Sequence, residues 1–361
     1  MRRRSFIDRW AGPLFCVPAL GLLLFAVVIP FFVAFAITFT DQRLLSPNPT
    51  RFVGLENYRR LLAIDLVEIP RVDLVPTGTS ARETPSESGG EPQFERLRTV
   101  LKGEGYRGFR RLVSADVFER RFAIVARDPI FYRSIYNTLL FVFMVLPLQC
   151  GFALVLALIV NQKFPGRTVF RTLYFAPVVT SMVVVSIVWS FLFNADEGLV
   201  NAALHGITGG AFSGIDWLGD ERFALLAVVI MSAWQGAGFQ MLIFLAGLQS
   251  IDPILYEAAK MDGANVWQRF RHVTWPGLRN TTVFVVISTT IAAFGLFTQI
   301  DVMTRGGPND STSTLIFHAV RTGFREQDVA YGSAVAVVFF CMVLTVTLFQ
   351  RALSDPEERK G

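Results

Sequence analysis

Apolar residues gather into six long runs, at about residues 14–37, 134–160, 172–193, 223–248, 280–300 and 329–349, with polar residues between them. A bilayer core of about 30 Å takes about 20 helical residues at a rise of about 1.5 Å each. The pattern therefore predicts an all-α integral membrane protein with six transmembrane helices. The first run follows Arg2, Arg3 and Arg4 and ends at Ala34-Phe35-Ala36, the outline of a signal peptide. Its length decides for a membrane helix, because a signal core runs only about 7 to 15 residues.

Between the fourth and fifth runs, residues 251–278 are charged and amphipathic. Asp252 followed by Pro253 is a helix start, with a side-chain acceptor for free amides and a preset φ. Ile254, Ala258 and Met261 fall on one face, away from Glu257, Lys260 and Asp262. Gly263 permits a turn. Asn265 caps a second short helix carrying Val266, Phe270 and Val273, which Pro276 is expected to break.

Composition agrees with a membrane protein: 52% of the 361 residues are hydrophobic and 17% are charged, against about 25% charged in soluble domains. The net charge of +5 does not point to nucleic acid, since the basic residues sit in loops rather than along one stripe. They set orientation instead. Arg2 to Arg4, Lys163, Arg167, Arg171, Lys260, Arg269, Arg271 and Arg279 share one side, which is then cytoplasmic and holds both termini. The loop 194–220 on the other side has neither lysine nor arginine, although Arg305, Arg321 and Arg325 weaken the contrast. Cys16, Cys150 and Cys341 lie in apolar runs, and His205, His272 and His318 are scattered, so no metal site is expected.

Glu257-Ala258-Ala259, Asp262-Gly263-Ala264, Phe270, Val273 and Pro276 resemble the EAA loop of permease subunits of binding-protein-dependent ABC importers. In that family the loop is the coupling helix that docks into a cleft of the ATPase subunit. The resemblance implies polar contacts to the ATPase from Glu257 and Asp262, close packing at Ala258 and Ala259, and a bend at Gly263. The competing reading is an amphipathic loop that only lies at the membrane interface. After the fifth run, Met303-Thr304-Arg305-Gly306-Gly307-Pro308 is a tight turn by its own chemistry, and it resembles the MTxGGP turn of carbohydrate-uptake, maltose-permease-like relatives.

No Asp, Glu, Lys or Arg lies inside the six runs, so the ionisable groups expected of an ion-coupled carrier are missing. A phosphate-binding GxxxxGK[ST] loop is missing too, so ATP and Mg are expected to be used by a partner, with no cofactor on this chain. The runs do carry neutral polar and aromatic groups: Trp234, Gln235, Gly236, Phe239 and Gln240 in the fourth, and Thr289, Phe294, Phe297 and Gln299 in the fifth. Amides bond hydroxyls and aromatic faces cover sugar C–H faces, which makes these candidates for a substrate path. The same residues also serve as packing or cross-helix bonds. The resemblance favours Gln235, Gly236, Phe239 and Thr289 as path residues, while the small Ala292 and Ala293 leave a dedicated site in this subunit open.

The expected domains are 1–38, tail and first helix; 39–133, an outer loop; 134–352, the permease core; and 353–361, a cytoplasmic tail. In the outer loop, Phe52-Val53-Gly54-Leu55-Glu56-Asn57-Tyr58 and Asp128-Pro129 resemble segments that run almost together in the family, so about 63–127 reads as an insertion. Its stretch PTGTSARETPSESGGEPQ has the composition of a flexible linker. Residues 94–125 interleave arginines, including Arg96, Arg98, Arg107, Arg110, Arg111, Arg120 and Arg121, with apolar residues, and read as a small solvated helical cap or a docking surface for a binding protein.

These readings imply a non-enzymatic permease subunit of an ATP-driven sugar importer in the bacterial inner membrane. The resemblance implies a second permease, two ATP-binding subunits, an extracytoplasmic solute-binding protein and surrounding lipid as partners, with no nucleic acid. The alternatives are a permease for an anionic polyol such as a glycerol phosphate, an ATP-independent channel or carrier, and, most distant, a membrane-embedded enzyme.

Overall fold

The computed structural model describes residues 6–69, 108–117, 120–162 and 164–354. The linker at 76–93, Arg2 to Arg4, Arg96, Arg98, Arg107, Lys163 and most of the 353–361 tail lie outside the described residues. The chain divides into two compact units, Met1–Tyr132 with Asp328–Ala334, and Arg133–Gln327 with Val335–Gly361.

In the first unit, α1 (Phe6–Leu23) passes through a π-helical turn at Leu24–Val28 into α2 (Ile29–Ile37). Pro30 lies one residue beyond that turn. A proline lacks N–H and pushes on the carbonyl four residues back, and a widened turn before it removes the clash. Beyond α2, Asn57 donates to the carbonyls of Thr38 and Thr40, both at 2.8 Å, and Tyr58 donates to Thr38 Oγ1 at 3.0 Å. These bonds tie α3 (Glu56–Leu62) to the end of α2.

The helical cap expected over 94–125 is corrected for its described part, residues 108–117 and 120–125, where the structure has strands; residues 94–107 lie outside the described residues. β1 (Ile64–Ile69), β2 (Arg110–Val117) and β3 (Arg120–Ala126) form an antiparallel sheet in the order β1-β3-β2. Val67, Ile69, Ala123 and Val125 are buried on one face, two residues apart as a strand requires. Ile64 pairs with Ala126 and Ile69 with Arg121, partners more than fifty positions apart that no local periodicity reveals.

Also in this unit, Tyr331 is 1% exposed and its hydroxyl donates to Asp128 at 2.6 Å. Arg60 lies 4.2 Å over the same ring and pairs with Asp328 at 3.1 Å. A buried bond to a charged group contributes about 1.5–3 kcal/mol. Tyr331→Phe should therefore destabilise the detergent-solubilised chain by about that amount, seen as an earlier thermal unfolding transition; an unchanged midpoint would make the bond dispensable.

The second unit is helical: α4 (Pro129–Asn161), α5 (Arg167–Val179), α6 (Met182–Leu192), α7 (Leu199–Ile207), α8 (Ala224–Gln249), α9 (Pro253–Met261), α10 (Val266–Arg269), α11 (Trp275–Gly277), α12 (Arg279–Phe294), α13 (Thr298–Met303), α14 (Leu315–Val320) and α15 (Val329–Ser354), the first and last of which begin in the other unit. Among the described residues of the whole chain four helices are long and apolar enough to cross a membrane, and six spans result if each of two bent pairs is one. The run at 172–193 is one such pair, bent by 101° between α5 and α6, and the other bends by 65° between Val266–Gly277 and Arg279–Phe294. The run at 280–300 does not stay continuous: α12 ends at Phe294 and Gly295 opens the break before α13.

Pro276 does not break its helix as expected. A π-turn at Phe270–Thr274, closed by the Trp275 amide onto the Phe270 carbonyl, carries the chain past the proline, and the bend falls at Leu278. The arrangement repeats that of Pro30.

One core gathers Phe141, Val228, Met231, Phe294 and Ile300, and a second gathers Ala153, Met241, Phe244, Leu248 and Leu278. The turn at Gly306, Gly307 and Pro308 leads into a polar segment buried against α4. Ser134 and Ser313 hydroxyls lie 3.0 Å apart, Asn137 donates to the carbonyls of Asp310 and Ser313, both at 3.0 Å, and the Leu315 amide donates to Thr138 at 3.0 Å. Gly306 has φ +84, and a Cβ there would lie 2.7 Å from the Phe317 ring, so the turn needs glycine on both counts.

Candidate functional site

Three helices and the α5–α6 break line an open cavity of about 240 Å³ in the second unit. Each helix presents one face: Phe141, Val145 and Gln149 on α4 at intervals of four, Ser232, Gln235, Gly236, Phe239 and Gln240 on α8, and Thr289, Ala292 and Ala293 on α12. Val178 and Met182 come from either side of the break, and Gln299 from α13.

The lining is mainly apolar, is interrupted by four amides and two hydroxyls, and carries no ionisable side chain. Gln240 donates to Thr289 Oγ1 at 3.2 Å, and its carbonyl oxygen is buried without a hydrogen-bond partner. Ser232 Oγ is likewise buried and unpartnered. A buried polar atom left unpaired costs about 1–3 kcal/mol, so both atoms favour an occupant with hydroxyl groups. Gln235 spends its amide on the Pro177 carbonyl at 3.3 Å, a group in the last turn of α5.

Glycine lets these groups converge. A Cβ on Gly236 would sit 2.3 Å from the Gln149 amide nitrogen, so a side chain there would push that amide from its present place. Gly238 carries the same constraint against a main-chain atom: its Cβ would lie 2.1 Å from the Tyr174 carbonyl oxygen. Small residues at helix crossings allow this approach in membranes.

Of the path candidates, the structure brings together Gln235, Gly236, Phe239, Gln240, Thr289 and Gln299. Trp234 and Phe297 are outside the lining. The Trp234 ring packs at 5.5 Å, tilted, on Trp189 and Phe297 at 6.2 Å, tilted, on Phe317, while Phe294 is buried and packs on Phe339. Ala292 and Ala293 do line the cavity, where their small side chains leave space. Gln149 and Ser232 escaped the sequence reading. The available signal was an amide and a serine deep inside long apolar runs.

α8 links this cavity to residues 251–278, since it carries five lining residues and runs through Ser250 into α9. Asp252 accepts from the Ile254 amide at 2.9 Å. α9 ends in a Schellman pattern: Ala264 N–H to Ala259 O at 2.9 Å and Gly263 N–H to Lys260 O at 3.0 Å, with Gly263 at φ +75. Asn265 and Gln268 then form a reciprocal capping box at 2.9 and 2.8 Å. Both predicted caps and the predicted turn residue occupy these places.

The base of this loop is tied down and its tip is bare. Ile251, Thr274 and Leu278 are buried, and Tyr256 bonds Thr274 at 3.0 Å. Ile254, Met261, Val266 and Trp267 are 67%, 90%, 74% and 67% exposed, and Glu257, Ala258, Asp262 and Pro276 are also exposed, with Ala259 and Phe270 half-buried. Large apolar side chains exposed beside charged ones mark a candidate interaction face.

Comparison with known proteins adds the family. Residues 131–356 match the family described as binding-protein-dependent transport system inner membrane component. The lactose transport system permease protein LacF of Rhizobium radiobacter is 36% identical over 227 residues, covering 62% of this chain and 76% of the relative. The arabinooligosaccharides transport system permease protein AraP of Bacillus subtilis is 32% identical over 237 residues, covering 65% and 75%. A crystal structure of a bacterial ABC transporter that imports the acidic polysaccharide alginate has a chain similar in fold, with TM-score 0.57, 23% identity, and coverage of 63% of this chain and 79% of that one.

Proposed function

The chain belongs to the family of binding-protein-dependent transport system inner membrane components, and from that premise we propose that it is the permease subunit of an ATP-driven sugar importer, forming half of the translocation path. It is a multi-pass inner-membrane transport component. The observation that carries the reading is one helix, α8, that walls a neutral cavity of mixed apolar, amide and hydroxyl lining and continues into an exposed, doubly capped loop.

A neutral lining with unpartnered Ser232 and Gln240 oxygens suits the hydroxyls of a sugar better than the charge of an anionic polyol. The names of the lactose and arabinooligosaccharide relatives support the same class. In this reading Glu257 and Asp262 contact a partner ATPase, Ala258 and Ala259 pack against it, and Phe270 and Pro276 brace the loop on α12. ATP and Mg act in that ATPase, not here. ATP binding draws two ATPase subunits together, α9 moves with them, and α8 carries the motion to the cavity wall, so that the path opens to the outside. A second permease completes the path, and a solute-binding protein delivers the sugar. Both termini face the cytoplasm, a reading supported by Arg167, Arg171, Lys260, Arg269, Arg271 and Arg279.

The test is reconstitution of the complex purified from its native membrane into liposomes, followed by uptake of labelled neutral oligosaccharides. Uptake should require ATP and loaded binding protein; movement of solute by this chain alone without nucleotide would leave a channel or carrier. Gln240→Leu should reduce uptake about three- to tenfold, the worth of a neutral hydrogen bond, without losing ATP hydrolysis.

A further inference from the structure

A second cavity, about 280 Å³, lies between α4 and α8 at the end of α8 away from the 251–278 loop. It shares no residue with the first. On α4 it is lined by Arg133, Tyr136, Asn137, Leu140 and Met144, which share one helical face. On the other wall the order is Glu221, Arg222, Leu225 and Leu226. Both walls pass from charged or polar to apolar in the same direction, over about 16 Å of helix. A gradient of this kind matches the boundary between lipid headgroups and acyl chains.

The polar end has cationic capacity to spare. Arg133 pairs with Glu221 at 3.2 Å, and Asn309 also donates to Glu221, at 2.5 Å, so that carboxylate is satisfied. Among the described residues the Arg222 guanidinium makes no ion pair or side-chain hydrogen bond. Ser311, 8% exposed, lines the cavity with an Oγ that has no hydrogen-bond partner. Two guanidiniums, one already spent, and a free hydroxyl call for an anionic oxygen group; the apolar end calls for a hydrocarbon chain.

We propose that this crevice binds one anionic phospholipid, its phosphate held by Arg222 and Ser311 and one acyl chain laid along Leu140, Met144, Leu225 and Leu226. The site depends on the membrane assignment but not on the sugar or the ATPase, so the two readings fail separately. A free phosphate would satisfy the polar end and leave the apolar half wet. A phospholipid fills both.

The experiment titrates the full chain, purified in detergent, with dioleoyl phosphatidylglycerol, dioleoyl phosphatidylcholine or inorganic phosphate, and counts bound molecules by native mass spectrometry. One phosphatidylglycerol should bind in preference to phosphatidylcholine. Arg222→Gln, at an exposed position, should weaken it about tenfold, and Met144→Trp should block the acyl end. Equal binding to Arg222→Gln and the parent chain would overturn the site. So would inorganic phosphate displacing the lipid at matched concentration, which would make it a free-anion site. Cross-linking in native membranes from a cysteine placed at Tyr136 to a second permease, in place of a lipid adduct, would make the crevice a subunit interface and equally overturn the proposal.

Discussion

Gly263→Val is expected to abolish sugar uptake while leaving the protein inserted in the membrane. The glycine sits at φ +75 in the Schellman turn that ends α9, and a Cβ there would meet nothing within 4 Å. The obstacle is the backbone alone. A β-branched residue at positive φ costs about 1–3 kcal/mol and turns the chain out of the geometry that places the Asn265 capping box. Asparagine tolerates that conformation, so Gly263→Asn should keep most of the activity. Uptake and ATP hydrolysis measured on both variants separate the causes: a fall of tenfold or more in the valine variant alone assigns the turn a role in coupling. Wild-type transport by the valine variant would sink the coupling role of this loop.

Gly238→Ala is expected to be nearly as damaging, for the opposite reason. Its φ is unremarkable, but its added Cβ would lie 2.1 Å from the Tyr174 carbonyl oxygen and 3.2 Å from Phe175 Cα. Both obstructing atoms belong to the α5 main chain, so no side chain can rotate away. α5 must shift by about 1 Å, and overpacking of this kind costs about 1–3 kcal/mol. The shift would carry the Pro177 carbonyl away from Gln235 and move Val178 in the cavity wall. Transport should drop by tenfold or more, with a lower unfolding midpoint in detergent. Gly151→Ala on α4, where a Cβ would meet nothing within 4 Å, serves as the control and should behave as the parent. Equal behaviour of the two variants would mean that the α5–α8 approach is not needed.

These expectations draw on different kinds of information. The Gly263 turn was legible from sequence because helix ends are local: Asp252, Pro253, Gly263 and Asn265 act on amides and carbonyls within one turn of themselves. The close approach at Gly238 was not, since one glycine among Ala237, Phe239 and other apolar residues says nothing about which backbone crosses it. The same difference explains the prolines. Pro276 by itself predicts a break, and only the widened turn before it lets the helix continue.

By itself the sequence determined the membrane character, the long apolar spans, the capped loop at 251–278 and most of the α8 and α12 residues that reach the cavity. Each depends on composition or on a period of three to four residues along one helix. Tertiary structure alone decided that Gln149 and Ser232 join them, that Trp234 and Phe297 turn away to aromatic neighbours, and that α5 meets α6 at a sharp bend. It alone decided, too, that the insertion closes a sheet by pairing Ile64 with Ala126. Those outcomes are contacts between residues far apart in the chain, set by which surfaces can approach, and such contacts leave no periodic trace in the segments that make them.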